Sequence, residues 1–72
     1  MDRKQRDDLR RRREIMETAG GIFAARGFHA TTMAQISKAS QYPLGTIYKY
    51  FSGKKEIYHD LVVERVHELG HI

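Results

Sequence analysis

Three sets of helix breakers decide what this 72-residue chain can become. Gly27, the turn Gln41-Tyr42-Pro43 and the pair Ser52-Gly53 interrupt a pattern that is otherwise helical. Proline lacks the backbone donor and glycine tolerates conformations that helices do not use, so each site ends one helix and starts another. The first helix is expected from about Asp8 to Arg26, with Ile15, Ala19, Ile22 and Phe23 recurring at helical spacing. Asp7 or Asp8 suits its N-cap, and Gly27 suits a left-handed residue just past its end. Gly20 and Gly21 fall inside it. They mark either close approach of a neighbouring helix or a locally weak one, since each costs roughly 1 kcal/mol against alanine.

A short second helix follows, capped by Thr31 or Thr32, with Met33, Ile36 and Ser40 on its buried face. A short third helix begins at Pro43 or Leu44, because proline suits a first turn. Phe51 closes it and points inward with Ile47. The fourth helix spans about Lys54 to Leu69, with Ile57, Leu61, Val62 and Leu69 inward. No strand pattern, repeat or low-complexity stretch interrupts this order. The expected fold is all-α: a homeodomain-like, three-helix helix-turn-helix plus the start of a fourth helix. The expected division is a basic N-terminal arm over residues 1–8 and a helix-turn-helix domain over 9–69, its core motif at about 32–51.

The charge narrows the partner. The chain carries a net charge of +4 with a pI near 9.7. Most of the excess lies in residues 1–14, where seven arginines and lysines face four carboxylates, a net of +3. A basic domain with a basic arm points to a polyanion. A membrane-surface helix built on Arg10–Arg13 would need a clean apolar face with aromatics, which this run lacks. No apolar run approaches the roughly 18 residues of a membrane span. The N-terminus is too charged for a secretory signal. There is no cysteine, so disulfides and thiolate metal sites are excluded. The expectation is a cytoplasmic protein without a cofactor.

A helix that reads DNA must be short, must present small or polar side chains to base edges and must be anchored on phosphates at its flanks. Residues 44–50 meet these needs. Gly45 lets the backbone approach closely, and Thr46 offers a hydroxyl and a methyl. The hydroxyls of Tyr48 and Tyr50 reach toward phosphates, and Lys49 supplies charge. Lys54 and Lys55 open the fourth helix, where the dipole disfavours cations. Two lysines there are better explained by phosphates than by helix stability. For Tyr48 and Tyr50 the competing role is core packing.

The stretch from Ile15 to Ile57 resembles the N-terminal domain of the TetR family of transcriptional regulators. The similarity rests on Phe23-Ala24-Ala25-Arg26-Gly27-Phe28, on Thr31, Thr32 and Ile36, and on Gly45-Thr46-Ile47-Tyr48-Lys49-Tyr50-Phe51 followed by Lys54. It runs without a gap over roughly residues 9–69. The resemblance implies that Thr32 caps helix two near a phosphate and that Ala34 and Gln35 lie where helix two meets DNA. It implies that Leu44, Gly45, Thr46 and Lys49 face the groove, and that Tyr48, Tyr50 and Lys54 match phosphate-contacting positions. The implied partner is double-stranded DNA carrying a palindromic operator, bound by a homodimer that represses transcription. No enzymatic activity is implied. The family's C-terminal domain, which forms the dimer and binds an inducer, is expected to be absent from this chain, and no inducer pocket is legible.

The turn departs from the family pattern. Ser40-Gln41-Tyr42-Pro43 stands where Ala-Gly-Val-Ser is usual. Either Gln41 adopts the left-handed conformation or the turn changes shape. Tyr42 must displace core or point outward, and Pro43 removes one amide that a phosphate would use. Arginine, the commonest guanine reader, is absent from helices two and three. Shape, methyl contacts and half-site pairing are therefore expected to carry much of the specificity.

One other motif competes. His67-Glu68-Leu69-Gly70-His71 fits H-E-x-x-H, which on a helix sets two histidines one turn apart for zinc. Catalytic zinc needs three protein ligands, a bound water and a cleft. No third ligand follows, and Gly70 weakens the helix where the second histidine must be held. Peptidase chemistry is set aside, which leaves metal binding by His67 and His71 as the alternative function.

Overall fold

The computed structural model describes residues 2–69, with side chains described through residue 67. Four helices follow in order: α1 (Arg3–Arg26), α2 (Met33–Ser40), α3 (Leu44–Tyr50) and α4 (Lys54–Leu69). No strand occurs among the described residues. The long α1 packs against each of the other three, and α2 packs against α3.

The core is a single cluster drawn from every helix. Ile15, Met16, Ala19 and Phe23 come from α1, Ile36 from α2, Ile47 from α3, and Ile57 and Leu61 from α4, with Phe51 from the connection before α4. Burying one such aliphatic or aromatic side chain stabilises the fold by about 1.5–3 kcal/mol. The placement of Phe51 inside agrees with the sequence reading. Gly20 is where α4 comes close: a Cβ there would sit 3.3 Å from Leu61 Cδ1. Gly21 faces open space. Of the two readings of this glycine pair, close approach therefore holds for Gly20 alone.

Several boundaries differ from expectation. Helix α1 starts at Arg3 rather than near Asp8, because Asp2 and Gln5 form a capping box. The Asp2 carboxylate accepts the Gln5 N–H at 2.9 Å, and the Gln5 side chain accepts the Asp2 N–H at 3.2 Å. Two orphan amides are thereby satisfied. Asp7 and Asp8 lie inside the helix and pair with Arg10 and Arg11 one turn on. Residues 3–8 thus continue α1 instead of forming a separate arm. Gly27 ends α1 with a positive φ of 90°, as expected, but its ψ of 152° is extended rather than left-handed helical. In α4, Ile57 and Leu61 are buried but Val62 is exposed, being one residue round the helix from Leu61. The Leu69 side chain and the His71 half of the H-E-x-x-H motif lie outside the described residues. Met33 and Ser40 are half-buried, so Ile36 alone anchors α2 fully.

Candidate nucleic-acid interface

The helix-turn-helix is built from a capped α2, a strained turn and a short α3. Thr32, not Thr31, is the cap. Its hydroxyl accepts the Gln35 N–H at 3.1 Å, and Gln35 Oε1 accepts the Thr32 N–H at 2.9 Å. Thr31 is buried instead and donates to the Gly27 carbonyl at 2.8 Å. Gln35 is therefore held at the helix start with its amide N–H2 still free to donate. Ala34 beside it is exposed.

The turn keeps its shape without glycine. Gln41 takes the left-handed conformation, φ 65° and ψ 18°, and is the only described non-glycine residue with positive φ. Its N–H bonds to the Ser37 carbonyl at 3.0 Å. The Ser37 hydroxyl donates to the Tyr42 carbonyl at 2.7 Å, and Ser40 Oγ accepts the Tyr42 N–H at 3.3 Å. Two serine side chains thus offset the cost of forcing a side-chain residue into a glycine conformation, about 1–2 kcal/mol. Tyr42 is half-buried against the core, and its hydroxyl donates to Glu14 on α1. It neither displaces core nor points wholly outward.

Pro43 caps α3 without a side-chain hydrogen bond, and its carbonyl takes the amides of Thr46 and Ile47. Ile47 is fully buried and Phe51 nearly so. With these two facing inward, Leu44, Gly45, Tyr48 and Lys49 form an exposed stripe at i, i+1, i+4 and i+5. Leu44 is 40% exposed and Tyr48 48%. Nothing lies within 4 Å of a Cβ built at Gly45. Thr46 lies half-buried at the edge of the stripe. Lys55 is exposed at the start of α4. Leu44, Gly45, Tyr48 and Lys49 are thus together on one outer surface, with Thr46 at its edge.

Two other expected contacts are engaged within the fold. The Lys54 ammonium donates to the carbonyls of Phe28, Thr31 and His29 at 2.8, 3.0 and 3.3 Å, and sits 4.5 Å from the Phe28 ring centroid. An ammonium has three donors, and here all three meet carbonyls. Lys54 ties α4 to the loop before α2. The Tyr50 hydroxyl donates to Asp8 at 3.0 Å and is also a hydrogen-bond partner of Arg11, which raises that guanidinium above its already high range. The reading from residue type missed these ties, and it missed the fork from Arg12 on α1 to Asp60 at 2.9 Å and Glu64 at 3.3 Å on α4. For Tyr50 the available signal was the carboxylates that flank the four arginines of residues 10–13.

A profile of the bacterial regulatory proteins of the tetR family matches residues 15–61. The chain belongs to that family. Its relatives include the uncharacterized HTH-type transcriptional regulator YxaF of Bacillus subtilis, 39% identical over 61 residues, which are 85% of this chain and 30% of YxaF. The HTH-type transcriptional repressor KstR2 of Mycobacterium tuberculosis is 36% identical over 62 residues, 86% of this chain and 31% of KstR2. The HTH-type transcriptional regulator LmrA of B. subtilis is 36% identical over 58 residues, 81% of this chain and 29% of LmrA. The chain spans under a third of the length of each of these TetR-type relatives. The helix-turn-helix of α2 and α3 lies wholly inside the stretch that the tetR-family profile matches. No described helix is long and apolar enough to cross a membrane.

Proposed function

We propose that this TetR-family domain reads one half of a palindromic operator in double-stranded DNA, as one head of a homodimer, and represses by occluding a promoter. It acts by binding and not by catalysis. The observation that supports this best is the outer stripe of α3, held outward by Ile47 and Phe51. In this reading Leu44, Gly45, Thr46 and Lys49 enter the major groove. Leu44 and the Thr46 methyl meet thymine methyls, and Lys49 reaches a base acceptor. Tyr48, Thr32 and Lys55 flank the groove and reach phosphates, while Ala34 and the Gln35 amide border it from α2. Lys54 stays on the loop carbonyls and reaches no phosphate. KstR2 bears the name of a repressor, and repression here rests on that likeness.

The test is selection from a pool of random duplex DNA at several salt concentrations. Enrichment of a short inverted repeat is expected, bound by Thr46→Ala with altered base preference. Absence of binding at low salt would overturn the reading, because the electrostatic component of DNA binding needs no sequence match.

A further inference from the structure

Helix α3 has seven residues, fewer than two turns. A helix so short has little stability of its own, so its pose comes from what it is tied to. Its fully buried anchors, Ile47 and the following Phe51, hold its middle and end to the core. Apolar contacts are non-directional and leave rotation about the helix axis weakly specified. Base readout tolerates errors of only about 0.5 Å and 10–20°. Something directional has to remove that freedom.

Two tethers do so, one at each end of α3. Tyr42 stands two residues before the helix and donates to Glu14, while Tyr50 is its last residue and donates to Asp8. Both acceptors belong to α1, about 9 Å apart along its axis at 1.5 Å per residue. Both are carboxylates, which make the stronger and more directional kind of hydrogen bond. Each also has its own arginine on α1: Arg10 lies 3.9 Å from Glu14, and Arg11 lies 3.9 Å from Asp8. These arginines offset negative charge that would otherwise face a polyanion. The bond to Glu14 also holds the Tyr42 hydroxyl protonated above its usual range.

We propose that Glu14 and Asp8, through Tyr42 and Tyr50, fix the pose of α3 and thereby set which operator is read, although none of the four touches a base. The proposal rests on the DNA-binding reading above. It makes these four positioning residues. It also assigns the Tyr50 hydroxyl to the fold rather than to a phosphate.

The experiment compares the unaltered 72-residue chain with Tyr42→Phe, Tyr50→Phe and the double variant, which keep the rings and remove only the tethers. Hydrogen exchange of the α3 amides, followed by NMR without DNA, reads how firmly α3 is held. Affinity for the selected operator and for a scrambled duplex reads its consequence. The double variant is expected to lose about tenfold in α3 protection, roughly threefold for each of the two hydrogen bonds to a carboxylate. Protection at Ala19 and Phe23 in α1 stays as it was. The operator-over-scrambled ratio falls by a similar factor while scrambled binding is unchanged. Glu14→Gln, which keeps an acceptor, retains the ratio, and Glu14→Ala loses it.

Unchanged α3 protection in the double variant overturns the proposal. So does an equal loss on both duplexes, which would mean that the hydroxyls bind phosphate. If the unaltered chain prefers no sequence, the DNA reading fails and the specificity claim with it. The exchange data, taken without DNA, still tell whether the tethers exist.

Discussion

Replacing Lys54 by methionine separates a clamp from a phosphate contact. The ammonium holds three carbonyls, those of Phe28 and Thr31 at 3.0 Å or less and that of His29 at 3.3 Å, and lies over the Phe28 ring. A hydrogen bond to a charged group is worth about 1.5–3 kcal/mol, and a cation over an aromatic ring about 0.5–1 kcal/mol when exposed. The site is only partly buried and methionine keeps most of the stem packing, so the net loss is about 2–3 kcal/mol rather than the sum. Small domains hold about 5 kcal/mol in total, and each kcal/mol moves Tm by about 4–8 °C at this size. Lys54→Met should therefore melt about 8–24 °C lower by circular dichroism. Measured well below that melt, the slope of log affinity for DNA against log salt should stay the same. A lost phosphate contact would reduce the slope by about one. An unchanged Tm with a shallower slope would refute the clamp and restore Lys54 to the DNA surface.

Three further outcomes follow from local geometry. Thr32→Ala removes the α2 cap and should destabilise by about 1 kcal/mol, read as a drop of several degrees in the melt. Gly21→Ala, whose new methyl meets nothing within 4 Å, should stabilise by about 0.8–1 kcal/mol. Gly20→Ala should gain less, because its methyl lands 3.3 Å from Leu61 Cδ1, and equal gains at both sites would contradict the close approach of α4. Glu56 is held below its ordinary value of 4.5, first by the Ser52 hydroxyl and then by the Ser52 N–H, at 2.5 and 2.9 Å. A lowered folded-state value means stability that is fully present above about pH 4.5 and lost as the pH falls through the folded value. Ser52→Ala should flatten the dependence of Tm on pH below 4.5, and an unaltered acid limb would remove Glu56 from the account.

The helices were legible because their punctuation is chemical. Gly27, Pro43 and Ser52-Gly53 each forbid continuation, and the start of α4 at Lys54 follows from the last of these breaks. The buried anchors were legible wherever periodicity was strict, as at Ile15, Ala19, Phe23, Ile36, Ile47 and Ile57. Two kinds of feature were not. The start of α1 depends on a reciprocal bond between Asp2 and Gln5, and the more conspicuous Asp7-Asp8 pair drew the cap inward by five or six residues. The roles of Lys54 and Tyr50 depend on partners 23 to 42 residues away. Residue type says that an ammonium or a phenol will find an oxygen, but only the fold says whose.

The same ambiguity governs the basic N-terminus. Seven cations in residues 1–14 suggested an arm for DNA. In the folded chain Arg10, Arg11 and Arg12 each lie by carboxylates, on α1 itself for the first two and on α4 for the third. Arg12 also lies over the ring of Phe51, the residue that closes α3. These arginines thus serve a frame around the recognition helix. The unusual turn is consistent with such a frame. Without glycine, the turn carries the strain of Gln41, and in exchange the next position holds a side chain long enough to reach α1. A valine at 42, as is usual in the family, has no donor to offer Glu14. The departure from the family's usual turn is therefore the one that ties the chain ahead of α3 to α1.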